Sequence, residues 1–133
     1  MSLYESNYIR LRALAGEPAA VRGARRSLVA GDCELVLDLV EQSRYTMTLH
    51  LTYLLPAQNG AYERYPDLRL RVYCDARLAE AQSQAQETAA AAVHPVLGTL
   101  RRSAERELDQ RWVLNMMLNK WLEYCLERGH RFI

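Results

Sequence analysis

The stretch Tyr45–Leu54 constrains the fold of this chain more than any other. Met47, Leu49, Leu51 and Tyr53 alternate with Thr46, Thr48, His50 and Thr52, the two-residue period of a strand with one face against a core and one polar face. Threonine suits the open face of a pleated sheet. Such a strand needs neighbours along its edges and apolar cover on one side. Upstream, Cys33–Val40 puts Leu35, Leu37 and Leu39 on one face, and Val36 and Val40 with Glu34 and Asp38 on the other. Glu41–Arg44 then turns the chain. Downstream, Pro56–Pro66 reads as a loop with Asn59-Gly60 at its tip and Tyr62 and Tyr65 beside it. Leu68–Asp75 follows, with Leu68, Leu70, Val72 and Cys74 inward and Arg69, Arg71 and Tyr73 outward. Ala76–Gln82 returns as a shorter strand. Short connections favour an antiparallel meander of three to four strands.

Helical periods supply the cover. Leu3, Tyr4, Tyr8, Leu11, Leu14 and Ala15 mark an amphipathic helix over Leu3–Ala15, capped by Ser2, with Glu5 in its first turn and Gly16-Glu17-Pro18 ending it. Pro18–Gly31 reads as a connection rich in Ala, Gly and Arg. A long helix is expected over Asp109–Arg128, from Trp112, Val113, Met116, Met117, Leu118, Trp121, Leu122, Cys125 and Leu126, with Gly129 as its C-cap. Its apolar arc is wider than one contact needs, which points to a core helix with a second surface for a homodimer or protein partner. Asn115 interrupts that arc. Buried there, it must hydrogen-bond to the sheet or the N-terminal segment. Between sheet and helix, Gln84–Val93 is Ala- and Gln-rich and helical in character, His94-Pro95 breaks it, and the balanced run Arg101–Arg111 suits a solvated face. The fold class is α+β: a small antiparallel sheet with an N-terminal helix and a long C-terminal helix packed on it, one domain over residues 1–133.

Formal net charge is +1, from 17 basic and 16 acidic side chains, which makes nucleic-acid binding through phosphate contacts the least favoured role. Cys33, Cys74 and Cys125 form no CxxC pair and are expected as buried, reduced thiols. Residues 1–12 lack the apolar stretch of a leader, and no run reaches the ~20 apolar residues of a membrane span. A cytoplasmic location without membrane contact is expected. His50, His94 and His130 are scattered and read as unrelated surface or partly buried residues, so no metal is expected. Neither a phosphate loop nor HExxH is present, and no cofactor is expected. A Ser–His–Asp arrangement has no nucleophile elbow to support it.

The polar cluster with chemical content spans Glu41, Arg44, Tyr45, Arg71, Tyr73, Asp75 and Glu80, with Arg69 on the same strand face. The guanidinium forks suit a carboxylate or phosphate, and Tyr45 and Tyr73 can flank a ring. Equally, Glu41, Asp75 and Glu80 can neutralise the arginines in a structural salt-bridge lattice, or one of them can act as an acid or base.

Glu5-x-Asn7 opens a pattern that continues in Glu41-x-Ser43-Arg44-Tyr45-Thr46 and Arg71-x-Tyr73-x-Asp75-Ala76-x-x-Ala79-Glu80. It ends in Asn115, Leu118, Trp121-Leu122, Tyr124-Cys125-Leu126 and Gly129. With these residues the chain resembles the YqiB-like bacterial proteins, a family classed as a domain of unknown function. It departs at Cys74, where a histidine is usual, and over Gln82–Leu100, where an Ala-rich stretch replaces a more basic and aromatic one. The resemblance implies a bacterial, cytoplasmic, single-domain protein and supplies no reaction. The residues themselves favour a non-catalytic binding or regulatory module for a partner protein or small anionic ligand. The alternative is a small enzyme, such as a hydrolase of a phosphorylated or nucleotide-like substrate.

Overall fold

The computed structural model describes residues 1–57, 59–84 and 110–132. Helix α1 (Leu3–Ala15) starts in a reciprocal capping box. Ser2 Oγ accepts from the Glu5 N–H at 3.2 Å, and Glu5 Oε1 accepts from the Ser2 N–H at 3.3 Å. Gly16, at φ +75°, ends the helix by donating its N–H to the Arg12 carbonyl. After a short 3-10 turn (Pro18–Ala20) come five strands: β1 (Ala24–Ser27), β2 (Glu34–Gln42), β3 (Thr46–Pro56), β4 (Tyr62–Tyr73) and β5 (Leu78–Gln84). Helix α2 (Gln110–Arg128) follows. The strands form one antiparallel meander in the order β1-β2-β3-β4-β5.

The sheet therefore has five strands where the sequence pattern yields three to four. The extra one, β1, lies inside the Pro18–Gly31 connection. Ala-Arg-Arg-Ser has no apolar alternation to announce it. It is held by backbone pairing, Ala24 opposite Asp38 through Ser27 opposite Leu35, and by the segment after α2. There Arg25 Nη1 donates to the Phe132 carbonyl, and the Arg131 N–H donates to Ser27 Oγ.

The Pro56–Pro66 loop is also shorter than expected, covering residues 57–61, because β4 already begins at Tyr62. Pro66 breaks the strand pattern in sequence, but it sits where the register shifts between Thr52 opposite Asp67 and Leu54 opposite Arg64. An irregularity of that kind asks nothing of a residue without an N–H, and Tyr65 and Pro66 are both buried there.

The core lies between the sheet and the two helices. Leu35, Leu37, Met47, Leu49, Leu51, Tyr53, Leu68, Leu70 and Val72 meet Tyr8, Leu11 and Leu14 of α1 and Leu118, Trp121, Leu122 and Cys125 of α2. Trp121 is fully buried and stands edge-on to Tyr53, ring centroids 5.3 Å apart. Helix α2 packs against both α1 and β5. Two contacts within the chain thus bury much of the wide apolar arc, while Trp112 stays exposed. The charged run and the Ala-rich stretch upstream of α2 lie outside the described residues, apart from Gln84, Gln110 and Arg111.

Asn115 is fully buried and closes the outer edge of β5. Its Oδ1 accepts from the Ala81 N–H at 2.7 Å and from Asn7 Nδ2 at 3.2 Å; its Nδ2 donates to the Ala81 carbonyl at 3.3 Å and to the Arg111 carbonyl at 2.9 Å. Asn7 Nδ2 reaches the Ala79 carbonyl, and Asn119 Nδ2 bonds Asn7 Oδ1 and Ser6 Oγ. Two amides, Asn7 and Asn115, thus stand where a sixth strand would pair, with Asn119 bracing Asn7, and an edge otherwise open to another chain is covered.

Candidate functional site

The face of the sheet away from the helices carries the polar side chains in rows set by the register. One row runs Asp38, His50, Arg69, Ser83 across β2 to β5, and the next runs Glu41, Thr48, Arg71, Glu80. A bulge between Leu39 and Glu41 keeps Glu41 on this face. Beyond the second row Tyr73 stands opposite Thr46. The turns joining β2 to β3 and β4 to β5 lie at the same end, where the Cys74 N–H donates to the Tyr45 carbonyl at 2.8 Å. The predicted residues are therefore brought together: Arg71, Tyr73, Glu41 and Glu80 on one face, with Arg44, Tyr45 and Asp75 in the turns at its end.

Their contacts discriminate between the readings left open above. Among the described residues no ion pair involves Arg44, Arg69 or Arg71. Glu80 instead accepts from the Tyr73 hydroxyl at 2.7 Å. That bond, with burial, pushes the Tyr73 phenol above its ordinary value, and the neighbouring Arg71 guanidinium opposes part of the shift. Arg71 Nε is buried with no hydrogen-bond partner, whereas buried polar nitrogens are normally bonded. Arg44 lies over the Tyr45 ring, 5.2 Å from its centroid. Glu41, Arg44, Arg69 and Asp75 are exposed. Next along, Thr52 Oγ1 donates to Asp67 Oδ1 at 2.7 Å, and His50 Nδ1 stands 3.5 Å from that same oxygen.

A second polar group escapes a reading of the sequence. Gly129, at φ +94°, reverses the chain after α2: its N–H donates to the Leu126 carbonyl and the His130 N–H to the Cys125 carbonyl, a Schellman arrangement. His130 is thereby carried into the interior, fully buried. It is not the surface or partly buried histidine expected. Its Nδ1 is 2.9 Å from Ser27 Oγ and its Nε2 is 2.8 Å from Asp32 Oδ2. The Tyr53 hydroxyl donates to Asp32 Oδ2 at 3.0 Å and meets Cys125 Sγ at 3.5 Å. Ser, His and Asp do come together, yet Ser27 and Asp32 are buried as well, and Ser27 Oγ already accepts the Arg131 N–H. The group ties the segment after α2 to β1 and the core. Its only sequence signal is the helix-ending glycine immediately before His130.

Burial pushes the Cys125 thiol up to about 12. Cys33 and Cys74 are only partly buried, against expectation, because both sit at strand ends; burial raises each of these as well. Among the described residues no group of three or more His, Cys, Asp or Glu side chains could hold a metal ion, and no helix is long and apolar enough to cross a membrane.

The profile of the family described as "Protein of unknown function (DUF1249)" matches residues 10–131. The chain is also similar to the "Uncharacterized protein YqiB" of Escherichia coli, in strain K12 and again in O157:H7. Each is 30% identical over 129 residues, covering 97% of this chain and 87% of the relative. No solved structure matches.

Proposed function

From the premise that this chain belongs to the DUF1249 family of proteins of unknown function, which brings no reaction with it, we propose a non-catalytic module that binds a small anionic ligand on the polar face of the sheet. Arg69 and Arg71 supply the charge. His50 stands on the neighbouring strand, and Arg44, Tyr45 and Tyr73 stand at the end of the face where both turns lie.

The observation that carries the proposal is Arg71: its guanidinium hydrogen-bonds the Tyr73 phenol, but its Nε is buried and unbonded, and no carboxylate pairs with it among the described residues. Removing a guanidinium N–H from water without a partner costs about 1–3 kcal/mol, and an oxyanion accepting from the fork recovers that energy. Catalysis is less well supported. Glu41 and Asp75 are exposed, and Glu80 is occupied by Tyr73, so none of these three carboxylates sits in an environment suited to proton transfer.

The test is the variant carrying Arg44→Ala and Arg71→Ala, compared with wild type for thermal shifts induced by phosphate and by small phosphorylated compounds. Loss of the shifts with an unchanged baseline melt supports the proposal. A variant that unfolds instead returns these arginines to a structural role.

A further inference from the structure

The unpaired charges on this face are not mixed; they are sorted by strand. Asp38 and Glu41 stand on β2, opposite His50 and Thr48 of β3, which in turn stand opposite Arg69 and Arg71 of β4. Of the other charged groups of the face, Arg26 pairs with Glu34 at 2.9 Å, Asp67 meets Thr52 and His50, and Glu80 accepts from Tyr73, while Arg64, opposite Leu54, adds a further cation to β4. Among the described residues Asp38, Glu41 and Arg69 have neither an ion pair nor a side-chain hydrogen bond. Two strand spacings separate the acidic pair from the basic pair at the backbone, about 10 Å.

A purely anionic ligand would satisfy Arg69 and Arg71 and lie in the repulsive field of two unneutralised carboxylates. A ligand with a cationic group at its other end satisfies both pairs. Two guanidinium forks two residues apart on β4 also suit a tetrahedral phosphate, whose several oxygens can occupy both forks, better than a carboxylate, which fills one.

Resting on the anion site proposed above, we infer that the ligand is a small zwitterion bearing a phosphate and a primary amine. The phosphate sits on Arg69 and Arg71, and the ammonium sits against Asp38 and Glu41. Ethanolamine phosphate carries this chemistry, and so does the head group of phosphatidylethanolamine.

The experiment is calorimetric titration with O-phosphoethanolamine and with 2-hydroxyethyl phosphate, in which a hydroxyl replaces the amine. The expected result is roughly tenfold tighter binding of the amine. Asp38→Asn with Glu41→Gln should abolish that advantage and leave the hydroxyl analogue binding as tightly as before or more so. Arg69→Ala with Arg71→Ala should abolish binding of both. Amide shifts confined to this face confirm that each variant keeps its fold. Equal affinities for amine and hydroxyl compounds would overturn the zwitterion and leave the anion site standing; no binding of either to wild type would overturn both. Sedimentation with phosphatidylethanolamine vesicles, with phosphatidylglycerol vesicles as control, separates the sources. Sedimentation that depends on Asp38 and Glu41 assigns a lipid head group, whereas binding of the soluble compound alone assigns a free metabolite.

Discussion

Replacing Asn115 with alanine tests whether the amide cluster holds the helices to the sheet. The change removes three hydrogen bonds between α2 and the rest of the chain: two to the Ala81 backbone and one from Asn7. A fourth, to the Arg111 carbonyl, lies within the helix and is discounted. At about 1 kcal/mol net for each bond, with about 1–3 kcal/mol more for buried groups left unpaired, the loss is about 4–6 kcal/mol. That is a large share of the ~5–15 kcal/mol that folded domains possess. At roughly 3–5 °C per kcal/mol for a domain of this size, the melting midpoint should fall by about 12–30 °C. Because Asn7 bonds Asn115 directly, Asn7→Ala and Asn115→Ala should be non-additive by about 0.5–3 kcal/mol in a urea-denaturation cycle. A midpoint within about 3 °C of wild type, or strictly additive single substitutions, would refute the reasoning.

Trp121→Ala should cost about 3–5 kcal/mol and come close to unfolding the protein. Trp121→Phe should cost less than half of that, since the indole Nε1 is buried without a partner and its loss strands nothing; both are read by thermal melts. His130→Ala leaves the Asp32 carboxylate with only the Tyr53 hydroxyl and should lower urea stability by about 2–4 kcal/mol. In Ellman titration of native protein, Cys33 and Cys74 should react slowly and Cys125 only on unfolding, in keeping with its burial. Burial holds the folded Cys125 thiol at about 12, well above an ordinary thiol, so its contribution is intact below pH ~9. It should be lost at about 1.4 kcal/mol per pH unit above that, as the unfolded thiol ionises first. Comparison of alkaline urea midpoints for wild type and Cys125→Ala measures this slope.

Local pattern was enough to place both helices and the middle strands. The alternation of β3 follows directly from Met47 to Tyr53, all buried on one side, and α1 is bounded by Ser2 and Gly16 as its capping chemistry requires. Local pattern also drew together Arg71, Tyr73, Glu41 and Glu80, because consecutive antiparallel strands bring outward side chains onto one face. It was insufficient wherever stability comes from partners distant in the chain. Strand β1 has no apolar signature and exists through pairing with β2 and the segment around Phe132. The first residues of β4 look like a loop until the irregularity beside Pro66 is seen. His130 enters the interior only because Gly129 reverses the chain toward Ser27 and Asp32. Pairing also decided that Glu80, although directly opposite Arg71, accepts from Tyr73 rather than forming an ion pair, since ion pairing depends on cross-strand register and side-chain direction. Residue type and period therefore determined the elements, and tertiary register determined which charges were left without a partner.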